Sequence, residues 1–188
     1  MIAVIDTETT GLLKDGVTDW LMQPGIVQLG VVMLDPETLE ERSSFETAIN
    51  PELPVQRWEE GAIKTHGISP DDVKNAPTLM GAFGAFAQSI VGATHWAGYN
   101  IRFDKGVIWH QLFRYGFERH FPWPPRDLEV MDLVSKHLGT VPGKRHNRWK
   151  LGDAYAKIVG TTFEEAHDAL ADVRATAQLL KKLRHGAA

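Results

Sequence analysis

The sequence predicts an α/β fold, one mixed sheet flanked by helices. Three observations carry this. Strand-like runs crowd the first fifty residues and imply an antiparallel meander. Further on, strands alternate with helices, which implies parallel pairing through crossovers. The 188 residues, 43% of them hydrophobic, suffice for one compact domain with a sizeable core and are few for two. A single domain over 1–188 is therefore expected.

Ile2-Ala3-Val4-Ile5 reads as a buried strand that ends in Asp6-Thr7-Glu8. Ile26 to Leu34, rich in β-branched residues, reads as a second strand, with Asp35-Pro36-Glu37 turning into a third around Ser44 to Ile49. Thr78 to Val91 spaces its apolar residues helically, with Thr78 as N-cap after Pro77. His95 to Gly98 then reads as a short buried strand, Phe103 to Tyr115 as a helix and Leu128 to Leu133 as another strand. Phe121 to Pro125 is a stiff connector, because its prolines cannot continue a helix. Thr140 to Lys150 is a basic loop leading into a helix through Ala156. Glu164 to Leu183 is helical, with apolar positions at Ala169, Val173, Ala177 and Leu180.

The chain has no cysteine, which excludes disulfides, thiolate metal sites and a Cys nucleophile. Its net charge of −4 argues against a protein basic all over, while a local basic groove stays open. No run approaches the ~20 apolar residues that span a bilayer, and Asp6 comes too early for a signal-peptide apolar region. A soluble, cytoplasmic protein without membrane contact is expected.

The chemistry starts at Asp6 and Glu8. Residues two apart in a strand share a face, about 6.6–6.8 Å apart along it. Side by side, the two carboxylates repel and raise each other's proton affinity unless a cation neutralises them. Oxygen ligands favour Mg²⁺ or Mn²⁺ over Zn²⁺. A solvated strand end is the other reading of this pair. Asp104 is either a helix cap or a catalytic group at the edge where ligands gather. His167 and Asp172 would point some 140° apart inside one regular helix, at about 100° per residue. Either His167 precedes the regular helix or the cleft wraps that edge.

Asp6-Thr7-Glu8-Thr9-Thr10-Gly11, Tyr99-Asn100-Ile101-Arg102-Phe103-Asp104 and His167-Asp168-Ala169-Leu170-Ala171-Asp172 together resemble the three motifs of the DnaQ-like exonucleases. The five-residue step from His167 to Asp172 resembles their DEDDh branch. Ile63-Lys64-Thr65-His66-Gly67-Ile68 resembles the family's substrate-side loop, and Met131-Asp132-Leu133 its strand ending in Asp. Tyr99 stands where many relatives carry His, and as an aromatic it can still stack or hydrogen-bond.

The resemblance implies an RNase H-like fold with a mixed five-stranded sheet. It also implies a 3′–5′ exonuclease that uses two Mg²⁺ or Mn²⁺ ions to release nucleoside 5′-monophosphates. Asp6, Glu8, Asp104 and Asp172 are then the metal ligands, with Asp6 bridging, and His167 the general base. Thr9, Leu12, His66, Tyr99 and Phe103 become candidates for holding the terminal nucleotide, although Leu12 and Phe103 also fit a core role. Gly11 would let backbone approach the ligand. Lys144, Arg145, His146, Arg148 and Lys150 suit either phosphate contacts or a solvated loop, and Trp149 suits the core. Lys181, Lys182 and Arg184 complement the negative end of the last helix.

The expected partner is nucleic acid with a free 3′ end, single-stranded DNA or a frayed end in preference to RNA. An RNA-trimming exoribonuclease or oligoribonuclease is the alternative. Proofreading would need a polymerase or another replication or repair partner, and the sequence identifies none. Two other classes compete: an aspartyl-phosphate phosphatase, which Glu8 fits poorly, and a non-catalytic nucleic-acid-binding or polymerase-tethering module, which has no need of five intact reactive groups.

Overall fold

A nearly unbroken apolar strand must be covered on both faces, and the N-terminal strand has that place. The computed structural model describes residues 1–188 except 18, 20, 21, 140, 142–147, 164–166 and 186–188. Five strands form one sheet: β1 (Ile2–Thr9), β2 (Ile26–Leu34), β3 (Glu41–Ala48), β4 (His95–Gly98) and β5 (Arg126–Glu129). Their order is β3-β2-β1-β4-β5, with β1 central. The first three pair antiparallel, whereas β1–β4 and β4–β5 pair parallel, so the meander and the crossovers both form as expected.

The helices are α1 (Glu60–His66), α2 (Pro70–Val73), α3 (Leu79–Ser89), α4 (Ile101–Arg114), α5 (Val130–Leu138), α6 (Leu151–Val159) and α7 (Ala169–His185). Ala3 and Ile5 pack under α3 and α4 through Phe86, Val107, Ile108 and Leu112. Ile2 and Val4, on the opposite face, pack under α7 through Val173, Ala177 and Leu180. A third cluster joins Val130, Val134, Trp149, Tyr155 and Leu179. Thr78 caps α3 by accepting the Gly81 N–H at 3.2 Å. Among the described residues no helix is long and apolar enough to cross a membrane.

Three segments differ from the sequence reading. The run Leu128 to Leu133 is not one strand: β5 stops at Glu129, whose carboxylate accepts the Met131 N–H at 3.1 Å and caps α5. Val130 and Val134 are buried four residues apart, so Met131-Asp132-Leu133 lies in a helical turn with Asp132 exposed. Ile63 to His66 is the end of α1, closed by Gly67 at φ 76°. The last helix begins at Ala169, after the non-helical His167 and Asp168, and residues 164–166 of the expected helix lie outside the described residues. Its tail cations grip the β2–β3 turn: Lys181 pairs with Glu40, and Arg184 donates to the Pro36 carbonyl.

Candidate active site

Strand alternation decides which β1 side chains can meet α7. Ile2 and Val4 are buried beneath that helix, and Asp6 and Glu8 continue the same row to the strand end. Asp172 sits in the first turn of α7. One carboxylate oxygen each from Glu8 and Asp172 and a ring nitrogen of His167 lie within 4.8 Å of one another. The 140° conflict disappears because His167 precedes α7 and adopts a left-handed backbone, φ 72°. Its N–H donates to Asp172 Oδ1 at 3.3 Å.

Asp104 reaches the same edge from α4. Asn100, also left-handed at φ 76°, turns the chain from β4 into that helix. The Asp104 carboxylate is buried, and its Oδ1 accepts both the Thr7 N–H at 3.0 Å and the Thr7 hydroxyl at 2.8 Å. Thr7, between the two acids of β1, thus ties α4 to the central strand. Asp6 stands outside the Glu8–His167–Asp172 trio and has Asp104, Glu8 and Asp172 as its charged neighbours, Asp104 the strongest.

Crowding and loss of water push every one of these acids upward. Asp6 is raised well above the ordinary carboxylate range, by desolvation first and then by Asp104 and Glu8. Glu8 rises to about 8 through desolvation and the charges of Asp172 and Asp104. Asp104 rises to about 7 by desolvation, against the pull of its Thr7 hydrogen bonds. Asp172 is also raised by desolvation, opposed by the His167 N–H. Four desolvated carboxylates and one imidazole form an oxygen-rich donor set that a hard divalent cation fits.

Beside Glu8 opens a pocket of about 350 Å³, lined by Leu12, His66, Phe103, Glu59 and Thr65 among others. Leu12 is 70% exposed, so it is not a core residue. Phe103 both packs on the main core and lines the pocket. Ile68 N–H donates to His66 Nδ1 at 3.0 Å, so Nε2 carries the proton and donates to the Thr9 carbonyl at 3.1 Å. His66 therefore presents its ring to the pocket with both nitrogens engaged. Thr9 donates its hydroxyl to the Gly11 carbonyl at 2.8 Å. A Cβ on Gly11 would fall 2.5 Å from the Glu59 side chain, so a carboxylate of α1's N-cap occupies the space expected for a ligand.

Tyr99 is not among the residues that line this pocket. Its hydroxyl donates to the Trp149 carbonyl at 2.7 Å, and its ring packs in the third core cluster, away from the pocket. Burial, then Glu129 and Asp153, raise its pKa. Tyr99→Phe is expected to cost roughly 1 kcal/mol in denaturant unfolding, the ordinary worth of one hydrogen bond, with nucleotide release unchanged. Trp149 is buried as the core residue before α6, with Arg148 and Lys150 exposed beside it. Lys144, Arg145 and His146 lie outside the described residues.

Sequence reasoning passed over Thr7, Gln28, Glu59 and Glu129. Glu129 accepts the Asn100 N–H at 2.8 Å and holds the turn before α4. Gln28 had a visible signal: it is a lone amide within the apolar run Ile26-Val27-Gln28-Leu29-Gly30-Val31.

Residues 3–180 match the family model described as "Exonuclease". Protein NEN3 of Arabidopsis thaliana is 28% identical over 188 residues, 96% of this chain and 33% of that protein. The uncharacterized exonuclease CP81 of Escherichia phage 186 is 32% identical over 189 residues, 98% of this chain and 88% of the phage protein. The chain thus spans a third of the plant relative and most of the phage one. The nuclease domain of 3′hExo, a DEDDh family member bound to rAMP, superposes with a TM-score of 0.74 at 17% identity, covering 98% of this chain and 92% of that one. That likeness carries the RNase H-like fold, and the family match over residues 3–180 shows that this chain belongs to the exonuclease family.

Proposed function

We propose that this chain is a metal-dependent 3′–5′ exonuclease that removes nucleoside 5′-monophosphates from single-stranded or frayed DNA. The observation that carries the reading is the convergence of Glu8, His167 and Asp172 within 4.8 Å, with Glu8 also lining the pocket that Leu12 and Phe103 line. Two divalent ions, Mg²⁺ or Mn²⁺, held by Asp6, Glu8, Asp104 and Asp172, would supply the acidity that makes water a nucleophile and would neutralise charge on the phosphate.

His167, an exposed side chain, takes the proton from the attacking water. Asp172 orients it through the backbone bond. The water oxygen attacks phosphorus, the bond to the penultimate O3′ breaks, and that oxygen takes a proton from solvent water, so the shortened strand leaves with a 3′-hydroxyl while His167 returns its proton to solvent. Leu12 and Phe103 clasp the terminal base, which must be unpaired to enter, and aromatic stacking accepts any base. Reading a 2′-hydroxyl needs polar contacts. The hydroxyls of Thr7, Thr9 and Thr65 already donate to Asp104, the Gly11 carbonyl and the Gly61 carbonyl, so none of the three has a proton left to offer a 2′-hydroxyl, which weighs towards DNA.

RNA trimming is the second reading, favoured by the rAMP bound to the 3′hExo domain. Matched DNA and RNA oligomers, labelled at the 3′ or the 5′ end, separate these readings when incubated with Mg²⁺, Mn²⁺ or chelator. The expected result is release of labelled 3′ mononucleotides from DNA only with metal, and a ladder shortening from the 3′ end in the 5′-labelled set. Internal cutting would overturn the exonuclease reading, and faster release from RNA would overturn the DNA preference.

A further inference from the structure

We propose that Gln28, on a strand that contributes none of the reactive groups, is a positioning residue that sets His167 over the site by clamping the start of α7. The catalytic half of this inference rests on the exonuclease reading; the structural half does not. In the β1–β2 ladder Gln28 stands opposite Glu8, and Gly30 opposite Asp6. Facing residues of an antiparallel pair project to the same side. Both therefore meet the helix that carries Asp172.

Every polar atom of the Gln28 amide is used there. Its Nε2 donates to Asp168 Oδ2 at 2.9 Å and to Glu46 Oε1 at 2.9 Å. Its Oε1 accepts the Ala169 N–H at 3.2 Å. That N–H is the first of α7, one of the donors a helix start leaves without an internal partner. The other oxygen of Asp168 accepts the Ala171 N–H at 3.0 Å, the pattern of an N-cap. Gln28 thus holds both the capping carboxylate and the first helical amide. Gly30 lets the helix sit this low: a Cβ there would fall 2.7 Å from the Ala169 carbonyl and 2.8 Å from the Leu170 nitrogen.

His167 is the residue immediately before this clamp. Its left-handed backbone is one that a residue with a side chain keeps only when its surroundings hold it. Asp172 holds one side, through the 3.3 Å bond from the His167 N–H. The Gln28 clamp fixes the two residues that follow. Releasing the clamp frees His167 to leave the Glu8–Asp172 edge while the strand carboxylates stay in place.

The test is Gln28→Met, which keeps side-chain length and loses the hydrogen bonds, in the full chain. Amide hydrogen exchange is measured in metal-free protein, with a thermal melt confirming that the variant is folded. Exchange at Ala169 to Asp172 is expected to accelerate at least about tenfold, while β1 and α4 keep wild-type protection. In nuclease assays kcat is expected to fall about 10- to 100-fold with KM within about twofold. The double variant Gln28→Met/His167→Ala should be no slower than His167→Ala alone, because residues acting as a unit are not additive. Unaltered exchange at the start of α7 would overturn the clamp, and losses that multiply in the double variant would overturn its action through His167. A wild-type protein without nuclease activity would instead remove the exonuclease reading, and the exchange result would still decide the clamp.

Discussion

Replacing His167 by alanine is expected to lower kcat by roughly 10²- to 10⁴-fold, the range for loss of a positioned general base, while Mn²⁺ still binds by calorimetry. Two roles compete for this residue, because its ring nitrogen lies within 4.8 Å of Glu8 and Asp172 and has the spacing of a metal ligand as well as of a base. The base takes a proton from water and is dispensable for holding cations; a ligand is not. Asp6→Ala should behave differently. Asp6 has Asp104, Glu8, Asp172 and Asp168 all as charged neighbours, so its loss removes a carboxylate that interacts with every other acid of the site. Metal affinity and turnover are expected to fall together. Metal binding lost in His167→Ala would make the imidazole a ligand, and wild-type turnover by that variant would remove it from the chemistry.

Much of this site is written in local periodicity, and the remainder depends on contacts that periodicity does not encode. Asp6 and Glu8 share a face because the strand repeat is two, and the apolar run before them announces the strand. Nothing local links them to Asp104 or Asp172, about a hundred and more than a hundred and sixty residues away; only the ordered set of motifs does that. The helical angle between His167 and Asp172 left two arrangements open, a His167 ahead of the helix or a cleft wrapping that edge, and the left-handed His167 before α7 realises the first.

For Tyr99 the sequence reading gave no direction for a side chain at the end of a short strand, where β4 turns abruptly through Asn100, and the fold ties its hydroxyl to the Trp149 carbonyl. Leu128 to Leu133 reads as a strand by composition, yet the capping carboxylate of Glu129 and the i, i+4 burial of Val130 and Val134 make its second half helical. Helix α1 has no buried residue, so it carries no apolar stripe to read. Gln28 and Gly30 were visible only as interruptions in a hydrophobic strand. Their meaning came from the helix end lying over them.

Metal-free protein is expected to be most stable near pH 5 and to lose stability as the pH rises to 8. The sign follows from the direction of the carboxylate shifts. Glu8 moves from 4.5 to about 8, and Asp104 from 3.8 to about 7. Through that window the native state keeps protons that the unfolded chain has released, so raising the pH pulls the equilibrium toward the unfolded state. His66 acts in the opposite direction, since burial lowers its pKa and its neutral form is favoured in the fold, but it is one half-buried ring against four crowded acids. Carboxylates that are lowered, such as Asp35 and Glu40, lose their contribution only below the window.

After discounting for the partly exposed Glu8, the loss between pH 5 and 8 is roughly 3 kcal/mol. For a chain of this size that corresponds to a fall in Tm of about 6–12 °C. Millimolar Mg²⁺ or Mn²⁺ should reverse it, because the cation replaces the protons and binds only the folded site; at a hundredfold excess over Kd it restores about 2.7 kcal/mol. Glu8→Gln should flatten the metal-free profile and weaken the response to metal. Melts in chelator and in metal, from pH 5 to pH 8, decide the matter. A metal-free Tm that rises over this range would mean that the acids at the end of β1 are neutralised within the protein itself, and the case for a cation there would fail.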